Sequence, residues 1–326
     1  MRTRRLKVEG GIYHCMSRTV NGAALFKNRE KEVLRKMIHQ VADFSGVEIL
    51  TFCLMANHFH VLVRVPHTQV SNQELMRRYR VLYPKPTTYE TATAAEMQRL
   101  LEAGGEEAEA IRERLLARMG DVSAFMKTLK QRFSTWFNKT HKRYGPLWSD
   151  RFKSVLVEGK ENVLQTMAAY IDLNPVRAGI VEDPKDYRFC GYSEAVAGHR
   201  HAVRSLKFLT AGLYSISVEE ALAQYRCMLF GKGSAPAGGA AQIDRAAAVR
   251  VMEKEQGALP RYILLRCRIR YLTEGAVLGS REFVQSHVEH WQRSTGRKYP
   301  PRPQMIETED TEVLAVMKNV RGTAYS

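Results

Sequence analysis

The sequence of residues 48–65 reads EILTFCLMANHFHVLVRV. Two apolar runs, rich in β-branched and aromatic residues, flank a short turn, which is the pattern of two buried strands. Successive strand residues point to opposite faces, so His58 and His60 share one face while Phe59 points to the other. Two such imidazoles can bind one divalent cation, although an isolated His-x-His is more often a pair of histidines on a solvated face.

The segments before this pair predict the rest of a β-α-β-β unit. Residues 10–18 alternate after two glycines and predict a first strand. Residues 28–45 carry apolar side chains at three-to-four spacing, which predicts an amphipathic helix ended by Gly46. This order suits half of a ferredoxin-like sheet, so we predict an α+β fold with an antiparallel sheet and helices on it.

Composition limits the class of protein. The chain has 326 residues, 44% of them hydrophobic, enough for two average domains or one domain with large additions. No apolar stretch approaches the roughly 18–20 residues of a membrane span. The start lacks the apolar segment of a secretory signal. Five scattered cysteines without a Cys-x-x-Cys pair favour a reducing cytoplasm and argue against zinc or a disulfide framework.

The formal net charge of +16 predicts a polyanionic partner. Basic residues that neutralise phosphates gain affinity through counterion release, so nucleic acid is the leading candidate. Charge alone does not select the polyanion, and an anionic membrane surface stays open, although no polybasic amphipathic anchor is present.

The middle of the chain supplies an insertion and a basic helix. Residues 68–120 interrupt the pattern of core strands and helices, and they predict a helical insertion beside the core. Residues 121–139 follow as a helix whose apolar stripe is core, and residues 151–157 predict a fourth strand. Basic side chains on these two elements are either phosphate contacts or an ordinary solvated face. They are Lys127, Lys130, Arg132, Arg151 and Lys153.

Residues 160–173 predict a further helix, and Tyr170 lies near its end. Asn174 is four positions later, so both side chains leave one face of the helix a turn apart. Pro175 then ends the helix. Taken alone, a helical tyrosine is usually half-buried packing and an asparagine before proline is usually a cap or turn.

These motifs together resemble one family. His58-Phe59-His60 and residues 170–179, YIDLNPVRAG, resemble the single-tyrosine HUH transposases, which are IS200-like, and among them the REP-associated tyrosine transposases. Supporting stretches are Tyr13-His14, residues 145–148 (GPLW), residues 151–154 (RFKS) and residues 184–188 (PKDYR). The resemblance covers about residues 8–195, interrupted by the insertion, and implies an HUH-endonuclease core.

The resemblance also implies a mechanism. His58, His60 and Asn174 would bind a divalent metal, Mg²⁺ or Mn²⁺. Tyr170 would attack single-stranded DNA, at hairpin or palindromic repeat ends, leaving a 5′-phosphotyrosine and a free 3′-hydroxyl before strand transfer. Arg177 is a candidate phosphate contact and equally a candidate surface charge. The family includes monomers and homodimers, and the expected location is the cytoplasm, on the nucleoid when bound to DNA.

The remaining chain is predicted to be a mainly helical extension. We assign residues 1–195 to the catalytic domain and residues 196–326 to the extension, with a flexible linker at about residues 231–241. A DNA-binding role for the extension rests on its arginines between residues 261 and 270.

Two other functions were weighed. A domesticated DNA-binding protein would keep the fold without the chemistry, but the candidate metal ligands and Tyr170 are all present. A phosphoesterase of the histidine-triad type needs a further histidine two residues after His60, where this chain has Leu62.

Overall fold

The computed structural model describes most of the chain, namely residues 6, 8–67, 69–85, 93–211, 216–230, 271–295, 303–306 and 314–317. The predicted linker at about residues 231–241 and the arginines between residues 261 and 270 lie outside the described residues.

The described elements are seven strands and twelve α-helices. The strands are β1 (Ile12–Arg18), β2 (Glu48–Leu54), β3 (His58–Arg64), β4 (Lys153–Val157), β5 (Val277–Gly279), β6 (Pro303–Ile306) and β7 (Leu314–Met317). The first six helices are α1 (Asn28–Ser45), α2 (Asn72–Leu82), α3 (Ala94–Ala103), α4 (Gly105–Leu116), α5 (Val122–Thr140) and α6 (Glu161–Asp172). The others are α7 (Asn174–Arg177), α8 (Gly191–Val196), α9 (Arg200–Ala211), α10 (Val218–Phe230), α11 (Tyr271–Glu274) and α12 (Arg281–Thr295).

One mixed sheet organises these elements, with described strands in the order β2-β3-β1-β4-β5-β7-β6. Its first four strands are antiparallel neighbours. Their spatial order, read with the chain order β1-α1-β2-β3-helices-β4, is that of a ferredoxin-like sheet. The predicted α+β fold is confirmed, and each predicted core strand and helix lies within a few residues of its predicted bounds.

Strand register fixes which side chains share a face of the sheet. Arg18 lies opposite His58, and Met16 lies opposite His60. Residues directly opposite one another point to the same face, so β1 and β3 direct these four side chains to one side, together with His14 two residues before Met16. We call this side the histidine face.

The opposite face carries the apolar core under α1 and α5. Phe59 is fully buried there, and its ring lies 5.6 Å from that of Trp148, which in turn contacts Phe133 of α5. Burying a phenylalanine or leucine side chain contributes about 1.5–3 kcal/mol. Because side chains alternate at residues 58–60, Phe59 packs in the core while His58 and His60 point to the histidine face.

The predicted insertion is helical, as expected, and comprises α2, α3 and α4. Helix α1 ends at Gly46, whose φ of 66° is the left-handed conformation that glycine adopts without strain. Helix α2 packs against α1, and Arg77 of α2 forms an exposed ion pair of 2.6 Å with Asp43 of α1.

The C-terminal part joins the same sheet. β5 pairs in parallel with β4, through Leu156 with Val277 and Val157 with Leu278. Helix α6 covers the histidine face, on the side of the sheet away from α1 and α5, and packs against β2 and β3. No described helix has the length and apolar character needed to cross a membrane.

Candidate active site

His60 lies at the centre of the histidine face and is 2% exposed. Its Nδ1 lies 2.8 Å from Nε2 of His14, and the two rings are nearly parallel, at 18°, with centroids 5.0 Å apart. Burial lowers the pKa of His60 well below its usual range, and His14 lowers it further. Burial likewise lowers the pKa of His14 to about 4. His60 is thus a neutral buried imidazole, unlike the solvated histidine that an isolated motif suggests.

His58 is oriented by the residue before it. Its Nδ1 lies 2.6 Å from Oδ1 of Asn57, whose Nδ2 donates to the carbonyl oxygen of Gly22 at 3.0 Å. An amide oxygen only accepts, so His58 donates from Nδ1 and its lone pair is on Nε2. Sequence reasoning finds no role for Asn57 beyond shaping the turn, and it misses this orienting contact.

Tyr170 comes to the histidine face from α6. Its ring centroid lies 6.2 Å from that of His60 and 6.3 Å from that of His14, in edge-to-face contacts. The residue is 3% exposed, so its ring is held by its neighbours. The structure thus brings together the predicted histidine pair and the predicted tyrosine, which are about 110 residues apart in sequence.

Asn174 closes the end of the tyrosine helix. Helix α6 ends at Asp172, and Asn174 begins the short α7. Its Nδ2 donates to the carbonyl oxygens of Tyr170 and Ile171 at 3.2 and 3.0 Å. These bonds use the amide nitrogen, so the amide oxygen is the atom that could coordinate a cation.

A buried carboxyl lies behind the tyrosine. Asp172 Oδ1 accepts from the Thr51 hydroxyl at 2.7 Å, and Oδ2 accepts from the Tyr225 hydroxyl at 2.6 Å. Burial raises the pKa of Asp172 to about 7, while these hydrogen bonds act in the opposite direction. The contacts tie α6 to β2 and α10, and so fix the helix that carries Tyr170.

The candidate phosphate-binding residues divide between the two faces. Lys130 donates to the carbonyl oxygen of Asp150, and Arg132 donates to that of Leu82. Both are on α5, as is the exposed Lys127, and α5 packs on the face opposite the histidines.

The other candidates are closer to the site. Lys153 lies opposite Met16 in the sheet, so it shares the histidine face, and Arg151 is exposed just before it. Arg177 lies over the Tyr170 ring at 4.2 Å. Arg18, which sequence reasoning passed over, lies opposite His58 on the same face and is exposed.

A divalent cation fits the donor atoms of this face in part. The rings of His58 and His60 are 5.1 Å apart, and imidazole nitrogen suits transition metals such as Mn²⁺ better than Mg²⁺. Among the described residues, no group of three or more His, Cys, Asp and Glu side chains is arranged to hold a metal ion. The histidine pair therefore needs an amide or phosphate oxygen to complete the coordination.

His14 and Asn57 are the residues that motif reading left without a role. His14 belongs to a stretch that supports the resemblance only weakly, yet it contacts His60 directly. The signal was present in the strand alternation, because His14 and His60 take the same face when β1 and β3 are neighbours.

One comparison with known proteins agrees with the motifs. The family model described as "Transposase IS200 like" matches residues 7–85. A comparison with curated proteins gives no match. A solved structure of a REP-associated tyrosine transposase bound to a REP hairpin is 16% identical, covering 60% of this chain and 86% of that chain with a TM-score of 0.39. Residues 7–85, which include the His58–His60 pair, are thus similar to the IS200-like transposases, the family that the motifs resemble.

Proposed function

We propose that this transposase cleaves and rejoins single-stranded DNA with Tyr170 as the nucleophile, within the REP-associated branch. The observation that carries the proposal is the convergence of Tyr170 with the histidine pair: the Tyr170 ring lies 6.2 Å from that of His60, which lies 5.1 Å from that of His58. A tyrosine that served only for packing would be expected beside apolar side chains, whereas Tyr170 lies beside a pair of imidazoles that can bind a metal ion.

The cleavage step is a transesterification. The Tyr170 hydroxyl oxygen forms a bond to the scissile phosphorus, and the bond from phosphorus to the 3′ oxygen breaks. The tyrosine proton passes to solvent, and the leaving oxygen takes a proton to become a 3′-hydroxyl. The 5′-phosphate stays on Tyr170, and the reverse reaction with another 3′-hydroxyl completes strand transfer without a high-energy cofactor.

The chain's residues prepare this step. A free phenol has a pKa near 10 and is a poor nucleophile at neutral pH, so its position and surroundings matter. His58, His60 and Asn174 would hold the cation, Mn²⁺ or Mg²⁺, which when bound polarises the phosphate and offsets its developing charge. Arg18 and Lys153 share the histidine face and would meet the DNA backbone, while Arg177 lies over the Tyr170 ring.

The substrate is DNA with a hairpin or palindromic repeat next to a single-stranded cleavage site. The net charge of +16 supports a nucleic-acid partner, and the exposed Arg18 and Arg151 near the histidine face support contact with phosphate there. The reaction would take place in the cytoplasm, with the protein as a monomer or homodimer. Residues 1–195 would carry the chemistry, and the extension from residue 196 would support or extend DNA binding.

The test is formation of a covalent adduct. Labelled single-stranded DNA carrying the repeats that flank the gene is incubated with wild type, Tyr170→Phe or Tyr187→Phe, with Mn²⁺ or Mg²⁺, and run on a denaturing gel. We expect an adduct in wild type and Tyr187→Phe but none in Tyr170→Phe. DNA binding without a metal-dependent adduct would favour the domesticated DNA-binding protein. An adduct in Tyr170→Phe would show that Tyr170 is not the nucleophile.

A further inference from the structure

A chain of hydrogen bonds connects the C-terminal part of the protein to His60. The carbonyl oxygen of Leu272 lies 2.7 Å from Nδ1 of His14, and Nε2 of His14 lies 2.8 Å from Nδ1 of His60. Leu272 and the two histidines are all buried, at 1%, 1% and 2% exposure. Both histidine rings are thus held at defined nitrogen atoms in a dry environment.

The chemistry of the acceptor fixes where the hydrogens are. A carbonyl oxygen only accepts, so His14 must carry its hydrogen on Nδ1. A neutral imidazole has a single N–H, and burial disfavours the charged form, so Nε2 of His14 is an acceptor. His60 must then donate from Nδ1, which places the lone pair of His60 on Nε2.

The same tautomer follows for His58 by a separate contact, since Oδ1 of Asn57 accepts from its Nδ1. Both histidines therefore carry their lone pairs on Nε2, the atom through which they would ligate a metal. Metal-binding histidines in proteins commonly donate their other ring nitrogen to a carbonyl or carboxylate, which fixes the tautomer and the ring orientation. Here the partner of His60 is another imidazole, which is itself set by a main-chain carbonyl.

We propose that His14 is a positioning residue that holds His60 in its Nδ1–H tautomer, and that the Leu272 carbonyl sets His14 in turn. The proposal rests on the proposed function in that His60 is taken as a metal ligand. It assigns a role to a residue outside the His-x-His motif and to a main-chain group more than 200 residues beyond it.

The position of Leu272 is secured by the sheet. Helix α11 leads into β5, and β5 is bonded to β4 through Leu156 N to Ala276 O and Glu158 N to Leu278 O, both at 2.9 Å. The side chain of Glu158 also accepts from the Ser280 hydroxyl at 3.1 Å. The C-terminal part thus completes the environment of the histidine face in addition to any contact it makes with DNA.

The direct test reads the tautomer in the metal-free wild-type protein. Long-range ¹H–¹⁵N NMR correlation distinguishes Nδ1–H from Nε2–H imidazole, and it needs neither metal nor DNA. We expect His60 and His14 both as Nδ1–H tautomers in the full chain. Finding His60 as the Nε2–H tautomer, the form that free imidazoles in peptides favour, would overturn the proposal without any variant.

Variants then test the consequence for metal binding. His14→Leu removes the acceptor, and we expect its Mn²⁺ affinity, measured by calorimetry, to fall about 10–100-fold. His14→Gln can accept from His60 and donate to Leu272, so it should recover most of the loss. His67→Leu, on an exposed histidine away from the face, is the control. Unchanged affinity and an unchanged His60 tautomer in a folded His14→Leu would contradict the proposal.

The outcomes separate this proposal from the proposed function. Tyr170→Phe should lose the adduct but keep wild-type Mn²⁺ affinity and the wild-type tautomers. If wild type forms no adduct while His14→Leu still shifts the His60 tautomer and weakens Mn²⁺ binding, the positioning role stands and the transposase chemistry fails.

Discussion

The guanidinium carbon of Arg177 lies 4.2 Å from the centroid of the Tyr170 ring, and its Nη2 donates to the Tyr170 carbonyl oxygen at 2.7 Å. Helix α7 begins two residues after the end of α6 and carries Arg177 to Tyr170. A cation over a tyrosine ring contributes about 0.5–2 kcal/mol. Arg177 therefore holds both the ring and the main chain of the candidate nucleophile.

This contact predicts that Arg177 positions Tyr170 more than it binds phosphate. Arg177→Lys keeps the charge but loses the planar stacking and the forked donor. We expect the rate of adduct formation at saturating DNA to fall about tenfold, with DNA affinity within about threefold of wild type. Arg151→Lys is the matched control. A large loss of affinity together with a shallower salt dependence would instead identify a phosphate contact.

Metal binding predicts a stability change that can be measured without DNA. A cation bound only by the folded state adds about 2.7 kcal/mol to the free energy of unfolding at a hundredfold excess over its Kd. We expect Mn²⁺ to raise the Tm of wild type and EDTA to reverse the rise. His58→Ala should remove the response, while His199→Ala, on an exposed histidine, should keep it. An equal rise in His58→Ala would place the cation elsewhere.

The buried Asp172 carboxyl predicts that the protein loses stability when the Tyr225 hydroxyl, its hydrogen-bond donor, is removed. Tyr225 is 1% exposed, and Tyr225→Phe removes the 2.6 Å hydrogen bond to Oδ2 with little change in shape. Leaving a buried carboxyl with one donor fewer should lower the free energy of unfolding by about 1–3 kcal/mol in urea titrations. Tyr144→Phe, at a residue that is 95% exposed, should change it little. Equal stability of both variants would show that Asp172 does not depend on this bond.

Glu74 in the insertion is expected to make a pH-dependent contribution to the free energy of unfolding. Its hydrogen bonds from Arg77 and Arg78 lower the pKa of Glu74 to about 2, from 4.5 in the unfolded chain. The stabilisation is therefore complete above pH 4.5 and is lost as pH falls toward 2. Since the side chain is about a third exposed, Glu74→Gln should cost only about 0.5–1 kcal/mol at pH 7.

Measurement of the free energy of unfolding at pH 7, 5 and 3 tests whether the stabilisation by Glu74 is lost as pH falls. The difference between wild type and Glu74→Gln should shrink at pH 3, while Glu109→Gln, on an exposed carboxylate of α4, should match wild type throughout. A difference that grows toward acid would contradict the assigned direction.

The individual strands and helices were predictable because strand alternation and helical spacing are patterns of neighbouring residues. Alternation at residues 58–60 and helical spacing at residues 28–45 predicted β3 and α1, and the structure confirms both. Tyr170 and the histidine pair were predicted as site residues from their motifs, and the fold brings them together.

The rest of the site depends on contacts between distant segments. The His14–His60 bond requires β1 and β3 to be neighbours, and the Leu272 contact requires the far end of the chain to join the sheet beside β4. Neither pairing leaves a signature within one segment. The same holds for Lys130 and Arg132 of α5, which donate to main-chain oxygens in other segments of the chain that charge patterns do not reveal.

The parallel pairing of β5 with β4 also bears on how this chain could be shortened. β4 has β1 on one side and β5 on the other, so a chain ending near residue 195 would expose the β5-facing N–H and carbonyl groups of β4 to solvent. An unprotected edge strand is a template for another copy of the chain, and it promotes aggregation or domain swapping. Shortened versions of this protein should therefore self-associate unless that edge is covered, whatever their capacity for catalysis.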